Sequence, residues 1–452
     1  MQQVGDWRGT SGTTALSHAS SPSLGIPKQD SRAVGQNLRY SFYILQMLFK
    51  YDLDLPMATK QEATKSSSKK RARSALSPDR VTEFLKELFG DCLHAKRVLS
   101  FANGVVGVLH AAAVGVHAIG QGLALARGLE PKHAIKQVDR LLSNSGIDPK
   151  SLDSAWVSYV LADRKEAVVI IDWTDFDADD QTTCALHLVT THGRATPLLW
   201  KTVLKKDLKG HQFQLENDLL DRLQACVPRE IPLTLLADRG FGSQLRYDYL
   251  DAMGWDYIIR FREDILVECD GVCQPARAWL HANGRARKLA EAQVTADKAA
   301  VGAVVVVYDR KMKDAWCLAT SRTELTATEV TALYGRRFLI EETFRDAKDL
   351  RFGLGLSATR LSNCNRRDRV LLLTTVAHAL LTLLGAACEE VGLDKKLKVN
   401  TVKRRSHSLF RQGSFWFHAI PTMREEWLLP LMEAFGRLLQ QHAFFSAAFG
   451  VL

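Results

Sequence analysis

Tyr334, Arg337, Glu341 and Lys348 occupy offsets of 0, 3, 7 and 14 within TALYGRRFLIEETFRDAKDL, residues 331–350. On an α-helix turning 100° per residue, the last three fall at about 300°, 340° and 320°, so all four share an arc of about 60° with Arg345 on its edge. A carboxylate flanked by cations and a phenol can hold a metal ion and a polyanionic backbone at one place. That combination points to phosphodiester chemistry. The same spacing also describes a solvated amphipathic face with pairs such as Glu341 and Arg345, so residues elsewhere must decide.

Two aspartates do so. AVVIID, residues 167–172, is a continuous apolar, β-branched run, the pattern of a strand covered on both faces, and it is expected to end at Asp172. IPLTLLAD, residues 231–238, repeats the design and ends at Asp238. Chemistry in open α/β sheets gathers at strand ends. An aspartate after a strand often only opens a turn, as Asp238 before Arg239-Gly240 could; two such acids followed by Glu341 on a cationic helix make that reading weaker.

The elements needed to position these groups are legible in order. CALHLVTTHGRATPLLWKTVL predicts a hairpin, residues 211–227 a helix, SQLRYDYLDAMGW another helix and DYIIRFRE a strand. Thr326 and Glu329 form a capping box that starts the glutamate helix. Its apolar residues, Leu333, Ile340, Phe344 and Ala347, fall beside the polar stripe, which puts Glu341 where a buried face meets a cleft. Strand, hairpin, helix, strand, helix, strand and a last acidic helix is the order of a ribonuclease-H-like core.

The triad Asp172, Asp238, Glu341, with Tyr-x2-Arg-x3-Glu-x6-Lys around the glutamate, resembles the DDE transposases of bacterial insertion sequences, in the branch with that YREK signature. ADRGFG around Asp238 resembles the second-aspartate motif of that family. The long gap before Glu341 resembles its β-rich insertion. The resemblance covers about residues 80–420. It implies excision of a DNA element at its terminal inverted repeats and joining of the 3′ ends to target DNA, cut-and-paste through a hairpin intermediate, by a homodimer in the DNA complex. Tyr334, Arg337 and Lys348 would grip phosphates of the hairpin, with Arg345 and Arg239 as further DNA contacts. Trp279 and Trp316 are candidates for stacking on an extruded base, although burial in a small core accounts for either ring more simply.

Three carboxylates suit two divalent ions, magnesium with manganese as substitute, held about 4 Å apart around an in-line displacement. Asp172 is the natural bridge, with Asp238 and Glu341 completing one site each. No covalent protein intermediate is required.

Composition agrees with a nucleic-acid partner: 60 Lys plus Arg against 50 Asp plus Glu give a net charge of +10. Cations cluster in SSSKKRARS, residues 66–74, on one face of KHAIKQVDR through Lys132, Lys136 and Arg140, and in NRRDR (365–369) and LKVNTVKRRS (397–406), which could track phosphates. The expected organisation is a disordered extension over 1–56, a helical DNA-binding domain over 57–160, the first part of the core over 161–263, a β-rich insertion over 264–325, the rest of the core over 326–392, and a basic helical region over 393–452. The basic opening after Met57 suggests that it is the true start and that the preceding segment is upstream reading frame. Residues 98–126 and 370–392 are apolar, but their polar residues and lengths suit buried helices better than membrane spans. Eight scattered cysteines, with Cys269-x3-Cys273 the one close pair, read as reduced thiols. The expected place is the cytoplasm, at the nucleoid, without a membrane partner.

The reading is therefore a metal-dependent transposase acting on double-stranded DNA. The competing readings are a nuclease of the same fold without strand transfer, and a non-catalytic repressor or inhibitor derived from such an enzyme.

Overall fold

The computed structural model describes residues 77–310 and 312–440. The expectations for residues 1–56, for Met57 and for the basic run at 66–74 lie outside the described residues. The described residues begin with helices: α1 (Pro78–Phe89), α2 (Ala95–Ala111), α3 (Val116–Arg127), α4 (Pro131–Ser143) and α5 (Asp153–Leu161). Ser77 caps α1, whose first residue is proline, pre-set for a first turn. The apolar stretch at 98–126 becomes α2 and α3, which meet at a bend of 95°.

Strands β1 (Ala167–Phe176), β2 (Gln181–Leu188) and β3 (Thr196–Leu204) form a meander, followed by α6 (Gln212–Cys226), β4 (Leu233–Ala237), α7 (Gln244–Met253) and β5 (Asp256–Phe261). Next come β6 (Leu266–Cys269), β7 (Val272–Pro275), β8 (Arg287–Ala290), β9 (Gln293–Val294), β10 (Ala299–Ala300), β11 (Ala303–Val307) and β12 (Trp316–Thr320). The larger sheet has eight strands in the order β3-β2-β1-β4-β5-β12-β11-β8. Within it β1, β4 and β5 are parallel and the other neighbours antiparallel. A four-stranded sheet, β10-β9-β6-β7, stands apart. The 264–325 segment thus divides: three of its strands widen the main sheet and four make the small one.

The apolar run of β1 packs on both faces, as its composition requires. Val169 and Ile171 enter one core and Val168 and Ile170 the other, each side chain contributing about 1.5–3 kcal/mol by leaving water. The strand does not end at Asp172. Pairing with β2 continues to Phe176 opposite Gln181, so only the parallel ladder to β4 stops beside the acid.

A second departure concerns the glutamate helix. The Thr326–Glu329 capping box is present and starts α8 (Ala327–Gly335), but a 3-10 turn over Arg336–Phe338 separates it from α9 (Leu339–Lys348). Gly335, a poor helix former, precedes the tighter turn. The polar stripe is therefore divided between two helices instead of lying along one.

The described residues close with α10 (Cys364–Glu390), α11 (Leu409–Ala419) and α12 (Glu425–Gln440). Among the described residues α10 is the single helix long and apolar enough to cross a membrane, and 89% of its most apolar window is buried within the protein. It packs against α11, α12, α2 and β3.

Candidate active site

Strand register brings the two aspartates side by side. Ile171 faces Ala237 on the last rung of the parallel β1–β4 ladder, so Asp172 and Asp238 are the next residue of each strand. Side chains alternate across a sheet. Val168, Ile170 and Leu236 point into the core that also holds Val330, Tyr334 and Ile340, and Asp172 and Asp238 continue that alternation toward α8 and α9. Asp238 Oδ1 accepts from Arg239 N at 2.6 Å, and Phe241 N closes the turn onto Asp238 O at 2.9 Å.

Glu341 reaches the same side from the first turn of α9. Arg337, in the 3-10 turn, ties it to the sheet: Nη1 donates to Asp172 Oδ2 at 3.2 Å and Nη2 to Glu341 Oε1 at 2.7 Å. The arginine side chain is only 6% exposed, while that of Glu341 is 50% exposed and opens to solvent. Burial pushes the Asp172 carboxyl up to about 6; Asp238 and Glu341 push in the same direction, and Arg337 and the Trp173 N–H oppose them. Asp172 and Glu341 thus share one guanidinium, and Asp238 lies near enough for its charge to act on Asp172, a surplus of negative charge in oxygen donors of the kind that suits a hard divalent ion. The donor set fits such an ion in charge and chemistry. Among the described residues, however, no three His, Cys, Asp or Glu side chains are spaced to hold one metal ion as they stand.

An open groove of about 480 Å³ runs past Asp172 and Glu341, lined also by Arg345, Lys348, Asp349 and Ser357. Arg345 is exposed and paired with Glu342. Lys348 ties the end of α9 to β1, its Nζ donating to Thr174 Oγ1 at 3.1 Å and Asp175 O at 2.7 Å. Tyr334 is fully buried, with Trp316 against its ring at 5.0 Å between centroids. A phosphate contact from its hydroxyl needs that packing to open. Trp316 is half-buried and also stacks on Phe338. Trp279 is buried beside the small sheet, its Nε1 directed at Val267 O, which leaves little ring face for a base in this conformation.

Arg239, Lys132, Lys136 and Arg140 are exposed, Lys136 beside Asp139. NRRDR is not a phosphate track. Arg367 is fully buried against Asp179 and Gln181, Arg369 donates to the carbonyls of Ile147 and Leu142, and Arg366 binds Asp139. At the start of a helix that passes through the protein, these cations have internal partners.

Other supporting residues escaped sequence reasoning. Trp173 N donates to Asp172 Oδ1 at 2.9 Å and its indole to Glu216 Oε1 at 2.8 Å; Glu216 in turn pairs with the buried Arg246 at 2.6 Å. On the far side of α9, Asp346 accepts from Arg194 Nε at 2.6 Å with His378 Nε2 at 3.5 Å, and Thr343 Oγ1 bonds both N and O of Ala195, at 2.9 and 2.7 Å. The signal available was polar residues at Thr343 and Asp346 on the buried side of an otherwise apolar stripe, which need partners wherever they are buried.

Fold and site together define a mixed α/β domain with a carboxylate cluster where the parallel ladder between β1 and β4 stops, and a helical region before it. Residues 163–380 match the family model described as the transposase DDE domain. The match supports a DDE transposase, a class that cuts DNA and generally uses divalent metal ions. No curated protein matches the chain.

Proposed function

We propose that the chain is a DDE transposase of an insertion sequence, in the YREK branch, with Asp172, Asp238 and Glu341 as catalytic metal ligands. One observation carries the reading: register puts Asp172 and Asp238 on neighbouring parallel strands, and Arg337 ties Glu341 to the same spot. The strand order β3-β2-β1-β4-β5, with only the last three parallel, supports a ribonuclease-H-like core. Two magnesium ions, with manganese as substitute, would supply activation of a water or 3′-hydroxyl and stabilisation of the departing oxygen. The chain's residues do the rest. Asp172 and Asp238 are fixed by their strands, Trp173 N and Arg239 N orient one oxygen of each, and Glu341 is presented from the buried-to-open edge of α9. Lys348 and Arg345 line the groove and Arg239 lies exposed in the turn after Asp238; all three would meet phosphates, with Arg337 and Tyr334 behind them. Substrate is double-stranded DNA at terminal inverted repeats, cut and pasted through a hairpin by a homodimer, with Trp316 the better placed of the two indoles for a base.

The test uses linear DNA carrying the sequences that flank the reading frame. Asp172→Asn, Asp238→Asn and Glu341→Gln should each abolish cleavage in magnesium and leave end binding nearly intact, since each removes a metal ligand and no DNA contact. A variant that still cuts removes its residue from the site. Pre-cleaved 3′ ends then separate transposase from nuclease, because only the former joins them to target DNA. A repressor is the weaker reading, as all three carboxylates are present.

A further inference from the structure

Arg337 lies where a metal ion would have to compete with it. Its terminal nitrogens each hold a different carboxylate, Asp172 at 3.2 Å and Glu341 at 2.7 Å, while Nε is buried without a hydrogen bond. Phe338 covers the guanidinium, its ring centroid 4.6 Å from the central carbon. Both oxygens engaged, Asp172 Oδ2 and Glu341 Oε1, face a fixed positive charge, and the guanidinium fork sets the spacing between the two acids.

We propose that Arg337 is a placeholder cation, which competes with a divalent ion for Asp172 and Glu341 and must release at least one of them before the acids can close on the ion. The inference rests on the reading of Asp172, Asp238 and Glu341 as metal ligands. Two physical effects act together. The same carboxylate lone pairs cannot serve the guanidinium and the ion at full strength, and a cation held within a few ångströms repels a second one in a partly dehydrated site. A DNA phosphate is the natural group to take the guanidinium over, since it accepts the same two-pronged fork. Entry of the DNA backbone into the groove would then free the acids, and by linkage a bound ion would raise affinity for DNA. The arginine so positions the acids for loading only when the substrate is in place.

The experiment measures Mn2+ binding to the full chain without DNA, by electron paramagnetic resonance of free Mn2+ and by calorimetry. Arg337→Met, which keeps the apolar stem and removes the charge, should bind Mn2+ at least about tenfold more tightly than the wild type. Arg337→Lys keeps the charge but reaches one carboxylate at a time, so its affinity should fall between the two. Adding Asp172→Asn to either variant should remove the gain. Equal or weaker binding by Arg337→Met overturns the proposal; if that variant does not unfold cooperatively, the lysine variant decides, and binding at or below the wild-type level overturns it. A Mn2+ site that Asp172→Asn removes, with the same affinity in all three chains, refutes the placeholder alone. Absence from all three chains of any Mn2+ site sensitive to Asp172→Asn refutes the metal-ligand reading and the placeholder with it.

Discussion

Lys348 shows how one side chain can serve both the fold and the proposed substrate. Its ammonium bonds Thr174 Oγ1 and Asp175 O and lies 4.9 Å from the Phe176 ring centroid, yet it also lines the groove. Burial, the largest effect on it, holds its pKa below the ordinary lysine value. Lys348→Ala should lower DNA affinity and reduce the slope of log affinity against log salt by about one, the loss of one phosphate contact. Binding titrations at several salt concentrations check this; an unchanged slope assigns Lys348 to holding α9 on β1 and nothing more. At this scale the acids were legible and their partners were not. Asp172 and Asp238 follow apolar runs that can be read locally, and Glu341 carries its own spacing. Arg337 read only as a DNA contact: its pairing with Glu341 is a local i,i+4 matter, but Asp172, the other carboxylate it holds, is 165 residues distant and no local pattern couples those two.

Elements set how firmly Glu341 is presented. Helix α9 is held from behind by Asp346, which is 4% exposed, between Arg194 and His378. Removing Asp346 takes from the partly buried Arg194 its closest counter-charge and leaves it, among the described residues, only Glu342, at 3.5 Å. Asp346→Ala should therefore lower stability by about 3 kcal/mol, seen as an earlier midpoint in urea denaturation, whereas Asp349→Ala, three residues on and half-buried, loses only the acceptor of the Arg351 and Phe352 N–H groups and should cost less. Loss of less than about 1 kcal/mol at Asp346 would show that Thr343 and the apolar face alone retain the helix. Most elements were legible because hydrophobic period and turn residues are local: the hairpin, α6, α7, β5 and the capping box all lie where the pattern puts them. Two features were not. The 3-10 turn at Arg336–Phe338 breaks a stripe whose spacing is regular, and β1 runs past Asp172 because β2 pairs with it to Phe176. Both depend on what lies across from the segment.

Across the whole molecule, α10 connects the parts, packing against α2, β3, α11 and α12, and its first turns decide how the sheet joins the helices. Asp368 sits there, 6% exposed, with Oδ1 accepting from Thr202 N of β3 at 3.0 Å. The sequence offered this residue as part of an exposed basic patch, because the sheet edge that buries it is distant in the chain. Burial raises its carboxyl to about 6 from an ordinary value of 3.8, with the Thr202 hydrogen bonds opposing the rise. The folded chain thus holds a proton that the unfolded chain releases between those two values, so this group's contribution falls as pH rises from about 4 to about 6 and stays low above. Asp368→Asn keeps the acceptor toward Thr202 and removes the titration. Relative to wild type it should gain about 1–3 kcal/mol at pH 7.5 and little or nothing at pH 4. Urea denaturation of both proteins at the two pH values reads the difference directly. An advantage for asparagine that is independent of pH would mean that the carboxylate at the α10–β3 junction is compensated where it lies, and that the join between sheet and helices tolerates a full negative charge.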